Sequence, residues 1–121
     1  MEKLLKFLFT IFLILIIFIC FSALYSITVI EKKAPVYYIQ SLPGNMLATT
    51  IPPYGIFIKE KYINEGDKPG TILAHERVHW LQYQERGFFK FYSEYLGGLY
   101  KYGRIYNDLE KDARKRSSLI F

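Results

Sequence analysis

Apolar residues run without a single charge from Phe7 to Ile30, "FLFTIFLILIIFICFSALYSITVI". These 24 positions exceed the roughly 20 that a helix needs to cross a hydrocarbon core of about 30 Å. The run is also too long and too uniformly apolar for a core helix of so small a protein. A cleaved signal peptide is the alternative, because Lys3 and Lys6 form a short basic start. No small-x-small cleavage pattern follows, since Ala23 is succeeded by Leu24 and Tyr25. An uncleaved single-pass anchor is therefore expected over residues 1–30. Lys3 and Lys6 balance Lys32 and Lys33 across it. The free N-terminal amine and the short leading segment favour N-inside, with the larger part extracytoplasmic.

Past the anchor the pattern changes. Residues 31–55 hold Pro35, Pro43, Gly44, Asn45, Pro52, Pro53 and Gly55, which break any helix and predict an extended connecting segment. Within it "VYYIQ" has strand composition, and "GIFIKEKYI" follows as a second strand candidate. The turn "NEGDKPG" leads into a helix that Asp67 or Thr71 would cap and Gly87 would stop. Apolar residues at 88, 91, 92, 95, 96, 99 and 102 form a helical stripe, expected to be interrupted at Gly97 and Gly98. A last polar helix, "NDLEKDARKRSS", starts at Asn107 or Asp108. The expected fold is α+β: one membrane helix, one or two strands, then three helices, with the folded domain over 56–121.

Length and charge narrow the function classes. The 121 residues leave room for one domain beside the anchor. From Ala34 onward, 12 Lys/Arg face 9 Asp/Glu, a modest excess that suits anionic headgroups and does not call for nucleic acid. The one cysteine, Cys20, lies inside the apolar run, so neither a disulfide nor a thiolate metal cluster forms within the chain. Aromatic residues crowd the C-terminal half among Lys90, Lys101 and Arg104. Their helical spacing points to packing or to the membrane interface, and no nucleic-acid motif accompanies them. Oligomeric state has no sequence signal.

The candidate chemistry lies in "TILAHERVHWLQYQERG", which contains both histidines. His75 and His79 are four residues apart, so they share one helix face and can aim two imidazoles at one ion. Glu76 sits about 60° from His79, placed to reach a water on that ion rather than the ion itself. Zinc with an open fourth position needs a third protein ligand, and with no histidine left it must be a carboxylate. Glu110 in "LEKDAR" is the expected one, with Asp112 and Glu94 as alternatives; Glu85 points away on the motif helix.

"HERVH" with the downstream "EKDA" resembles the gluzincin class of zinc metallopeptidases, and "HERVHWLQ" resembles small bacterial and phage-associated peptidases. The resemblance covers roughly residues 54–116 and maps a third-ligand E-x-x-A pattern onto Glu110 and Ala113. It implies a zincin-like metallopeptidase domain that hydrolyses a peptide or protein substrate at the membrane. Zinc is then held by His75, His79 and Glu110, with Glu76 as general base. Tyr83 or Arg86 is the expected oxyanion donor. The strand Gly55, Ile56, Phe57, Ile58, Lys59 would be either an edge for an extended substrate or a plain core strand. One departure is Arg114, where such families often carry an Asp or Asn that supports a histidine. A noncatalytic membrane-anchored module that keeps the motif helix is the competing reading.

Overall fold

The uncharged run forms one helix, α1 (Glu2–Val29), in a computed structural model that describes residues 1–118. Positions 119–121, the end of the expected 56–121 domain, lie outside the described residues. α1 is long and apolar enough to cross a membrane. It exposes apolar side chains on every side except the one carrying Ser22 and Ser26. That side docks on the rest of the chain. Ser22 Oγ lies 2.6 Å from the Tyr54 hydroxyl, and Ser26 Oγ hydrogen-bonds the Tyr83 hydroxyl. Just past the helix, Trp80 Nε1 donates to the Lys32 carbonyl at 2.9 Å and Gln84 Nε2 to the Ile30 carbonyl at 2.8 Å.

Three strands follow: β1 (Val36–Ile39), β2 (Ala48–Ile51) and β3 (Gly55–Lys59), in the spatial order β1-β3-β2. β1 runs parallel to β3 with Val36 opposite Ile56, and β2 runs antiparallel with Ala48 opposite Ile58. A parallel pair needs a long crossover, and β2 with its loops supplies it. The connecting segment 31–55 thus contributes two of the three strands, and a domain boundary at 56 would cut the sheet. β2 was hidden because "ATTI" is short and is fenced by Pro43-Gly44-Asn45 and Pro52-Pro53. Both edges of β3 are occupied, so Gly55, Ile56, Phe57, Ile58 and Lys59 form a core strand that cannot take an extended peptide. Ile56 and Ile58 are fully buried. The outer edge of β2 has no strand partner among the described residues.

Three helices complete the chain. α2 (Ile72–Arg86) is capped by Thr71, whose Oγ1 accepts from the Ala74 N–H at 3.2 Å, and ends at Gly87. Asp67 instead pairs with Arg77 at 3.1 Å. α3 (Phe88–Tyr106) continues through Gly97 and Gly98, so the expected interruption is not there. Gly98 is a point of close approach, where a Cβ would stand 3.0 Å from Asn107 Oδ1. The backbone breaks instead at Gly103, with φ 74° and ψ 178°. α4 (Asp108–Ser117) is capped by buried Asn107, whose Oδ1 accepts from the Leu109 N–H at 2.9 Å and whose Nδ2 donates to the Tyr95 carbonyl at 2.8 Å. That side chain ties the start of α4 to α3, and bonds from Gln82 to Leu109 and Asp112 hold α4 across α2. Leu73, Trp80, Tyr83, Phe91 and Leu109 pack with Ile56 and Ile58 into one core, each worth about 1.5–3 kcal/mol in buried apolar surface.

Candidate metal centre

On α2, His75, His79 and Gln82 fall within about 60° of one another, and Glu76 lies about 60° beyond His79, on the side toward β2. The return of α4 brings Glu110 over the first group. His75 Nε2 stands 3.0 Å from Glu110 Oε2, His79 Nε2 stands 3.1 Å from Glu110 Oε1, and the two Nε2 atoms are 3.2 Å apart. All three residues are buried and form a group that could hold a metal ion. A tetrahedral zinc with ligand distances of about 2.0–2.1 Å has ligand–ligand edges of about 3.3 Å, so the spacing fits with small adjustment.

The hydrogen bonds around the group decide which atoms face it. Gln82 Nε2 donates to the Leu109 carbonyl at 2.9 Å and to Asp112 Oδ2 at 2.8 Å. With its NH₂ committed to two acceptors, Gln82 must present Oε1 to His79 Nδ1, 2.9 Å away. Nδ1 therefore carries the proton in the neutral ring, and the Nε2 lone pair of His79 turns toward Glu110. Tyr95 donates its hydroxyl to Glu110 Oε1 at 2.6 Å and sets its ring edge-on to His79. Lone pairs aimed at one point repel unless a cation sits among them, and a metal ion or a proton meets that need.

The electrostatics of the metal-free protein agree. Burial works against the charged form of His79, but the hydrogen bond to Glu110 and the charges of Glu76 and Glu110 outweigh it and raise its pKa. Burial likewise opposes the Glu110 carboxylate, yet hydrogen bonds from His75 and His79, the His79 charge and the Tyr95 hydroxyl hold its pKa well below the carboxylate range. Burial first, then the bond and charge of Glu110, pushes the Tyr95 phenol upward, so it remains a donor.

Glu76 is buried beside the cluster, where Thr50 Oγ1 donates to its Oε2 at 2.6 Å and to its backbone carbonyl at 3.0 Å. It lines a cleft of about 330 Å³ together with His79, Glu110, Tyr95 and residues Ala48 to Ile51 of β2. A second hollow, about 630 Å³, adjoins it past His75 and Arg114, and Ala48, Glu76, Arg104 and Glu110 border both.

The other expected site residues lie elsewhere. Asp112 contacts Gln82 and Arg116, and Glu94 pairs with Arg86 at 2.5 Å, so neither reaches the histidines. Glu85 faces Arg116 at 3.1 Å. Tyr83 is fully buried with its hydroxyl on Ser26, and Arg86 is held by Glu94, so neither faces the cleft as an oxyanion donor. Tyr95 has its hydroxyl at the cluster in their stead. Gln82 and Tyr95 are the residues that sequence reasoning missed. Gln82 was within reach, since it stands three residues past His79 and a metal-binding imidazole usually donates its other N–H to an acceptor. It supplies the histidine support that Arg114 could not. Comparison with known proteins finds no matching family model, no matching curated protein and no matching solved structure.

Proposed function

We propose that the chain is a membrane-anchored, gluzincin-like zinc metallopeptidase with its folded part on the extracytoplasmic side. The observation that carries this reading is the convergence of His75, His79 and Glu110 in a buried cluster, with Glu76 alongside at the cleft. His75 Nε2, His79 Nε2 and a Glu110 oxygen would hold the metal. When bound, zinc lowers the pKa of a coordinated water toward about 7 and polarises a carbonyl oxygen. Glu76 would accept the water proton and return it to the leaving amine, and Thr50, donating to Glu76 Oε2, holds that carboxylate in place. Tyr95 keeps Glu110 turned to the histidines and is a hydroxyl donor at the cluster. The free edge of β2 beside the cleft is where an extended peptide would lie.

The Thr50–Glu76 bond favours a second reading as well, because it also ties α2 to β2 and would be useful in a noncatalytic metal-binding module. Glu76→Gln separates the two, since glutamine still accepts from Thr50 but cannot take a proton. Purified full-length protein should contain about one zinc per chain. The Glu76→Gln form should keep that zinc and lose about 10²-fold or more in peptide cleavage. Zinc-loaded protein that cleaves no peptide would leave the module. A chain that takes up no zinc at all would end both readings.

A further inference from the structure

The anchor and the cleft are joined by a short chain of contacts that fixes their relative height. Tyr54, in the turn between β2 and β3, stacks on Phe18 and Tyr25 of α1 with ring centroids 6.1 and 5.9 Å apart, and its hydroxyl meets Ser22. Next to it, the Pro52 carbonyl accepts from the Tyr92 hydroxyl of α3. Tyr92 lines the cleft together with Ile51, Leu96 and Leu99.

A bilayer sets where this chain of contacts sits. About 20 helical residues fill the hydrocarbon core. The uncharged span begins after Lys6, so its first stretch of about 20 residues ends near Ser26. In that register Phe18 and Ser22 are both inside the core. Tyr54 touches both, so the β2–β3 turn reaches the lipid, and the cleft wall begins one contact further on.

The outward face of α3 matches that position. Phe89, Leu96 and Tyr100 fall within about 40° of one another and are 66, 58 and 92 % exposed. Lys90, Glu94 and Lys101 lie about 100–140° round the helix from Phe89 and are exposed as well. An apolar arc flanked on one side by lysines suits a helix lying in the membrane interface. Leu96 belongs both to this arc and to the cleft wall.

Given the anchor and the peptidase reading above, we propose that the bilayer covers the outer face of α3. The cleft then opens at the lipid surface and takes juxtamembrane segments of polypeptides anchored in the same membrane.

The test uses the full chain in phosphatidylcholine–phosphatidylglycerol vesicles, with Cys20→Ser as background and nitroxide labels on Leu96→Cys, Tyr100→Cys and Lys101→Cys. Labels at 96 and 100 should relax with oxygen and resist an aqueous nickel chelate, and the label at 101 should do the reverse. Equal access of the chelate to all three overturns the proposal, as does dipolar broadening between labels at 96, which would show a second copy covering the face. Release of the protein by carbonate would sink the anchor reading and this proposal together. For the substrate, zinc-loaded protein should cut a randomised polar tail on a Leu-Ala transmembrane peptide about tenfold or more faster than the free tail. Equal rates overturn the substrate class. Cleavage of neither, with labels 96 and 100 in lipid, ends the peptidase reading and leaves the lipid seat standing.

Discussion

Gln82 Oε1 lies 2.9 Å from His79 Nδ1, and the amide that places it there is held from behind by Asp112 and the Leu109 carbonyl. The direction of the His79 lone pair is therefore set two residues deep, by a carboxylate on α4 that touches no ligand atom. Gln82→Leu should weaken zinc binding about 10–100-fold, the scale for losing such support. It should also cost about 1–3 kcal/mol in the metal-free fold through the partners left unpaired. Competitive zinc titration together with chemical denaturation reads both. Unchanged affinity would mean that the ring is oriented by packing alone.

Glu110 and Asp112 are two residues apart and have opposite assignments. Glu110→Gln should lose most zinc binding, because it removes the one anionic ligand atom among His75, His79 and Glu110. Asp112→Asn should reduce it far less, since Arg116 remains and only the Gln82 contact weakens. Metal analysis after gel filtration distinguishes them, and a reversed order would move the third ligand to Asp112.

Tyr95→Phe removes one hydroxyl and leaves the ring against His79 and Phe91. The bond stands in the metal-free protein, and one to a charged group is worth about 1.5–3 kcal/mol. The metal-free fold should therefore lose stability on that scale, and zinc affinity should fall by a smaller factor as Glu110 is freed to turn from the histidines. Chemical denaturation reads the first effect, and calorimetric titration of zinc into the metal-free variant reads the second. Wild-type values of both would assign Tyr95 to packing only.

The metal-free protein should show a pH window of stability. The folded-state pKa of His79 is raised above 6.5, so its contribution is full below that value and fades as pH rises through the folded pKa. The folded-state pKa of Glu110 is lowered from 4.5, so its contribution is present above that value and fades as pH falls through the folded pKa. Thermal melts in chelator should thus be highest between the two and lower at alkaline pH. Zinc should reverse the alkaline loss, because the proton shared at His79 must leave before the metal binds. A chelated protein whose melting point climbs steadily into alkaline pH would contradict the shared proton.

What the sequence by itself determined is everything that a single helix can encode. The apolar run is legible because length alone bears on spanning. His75, Glu76 and His79 are legible because helical periodicity puts them on one side wherever the helix packs. Gly87 is legible, and Thr71 and Asn107 each stand as one of two candidates beside Asp67 and Asp108, because capping is settled within a few residues. The third ligand was only a preference, because Glu110, Asp112 and Glu94 all stand on helices whose crossing angles depend on Asn107 and on the close approach at Gly98. Tertiary structure decided that Glu110 meets the histidines, that Gln82 holds His79 and Tyr95 holds Glu110, and that Tyr83 turns away to Ser26 of α1. It also decided that β3 lies between β1 and β2, which made the edge beside the cleft a strand too short and too fenced by prolines to be read. The reason is the same in each case. These relationships join residues far apart in the chain, and no local pattern carries the angle at which two elements pack.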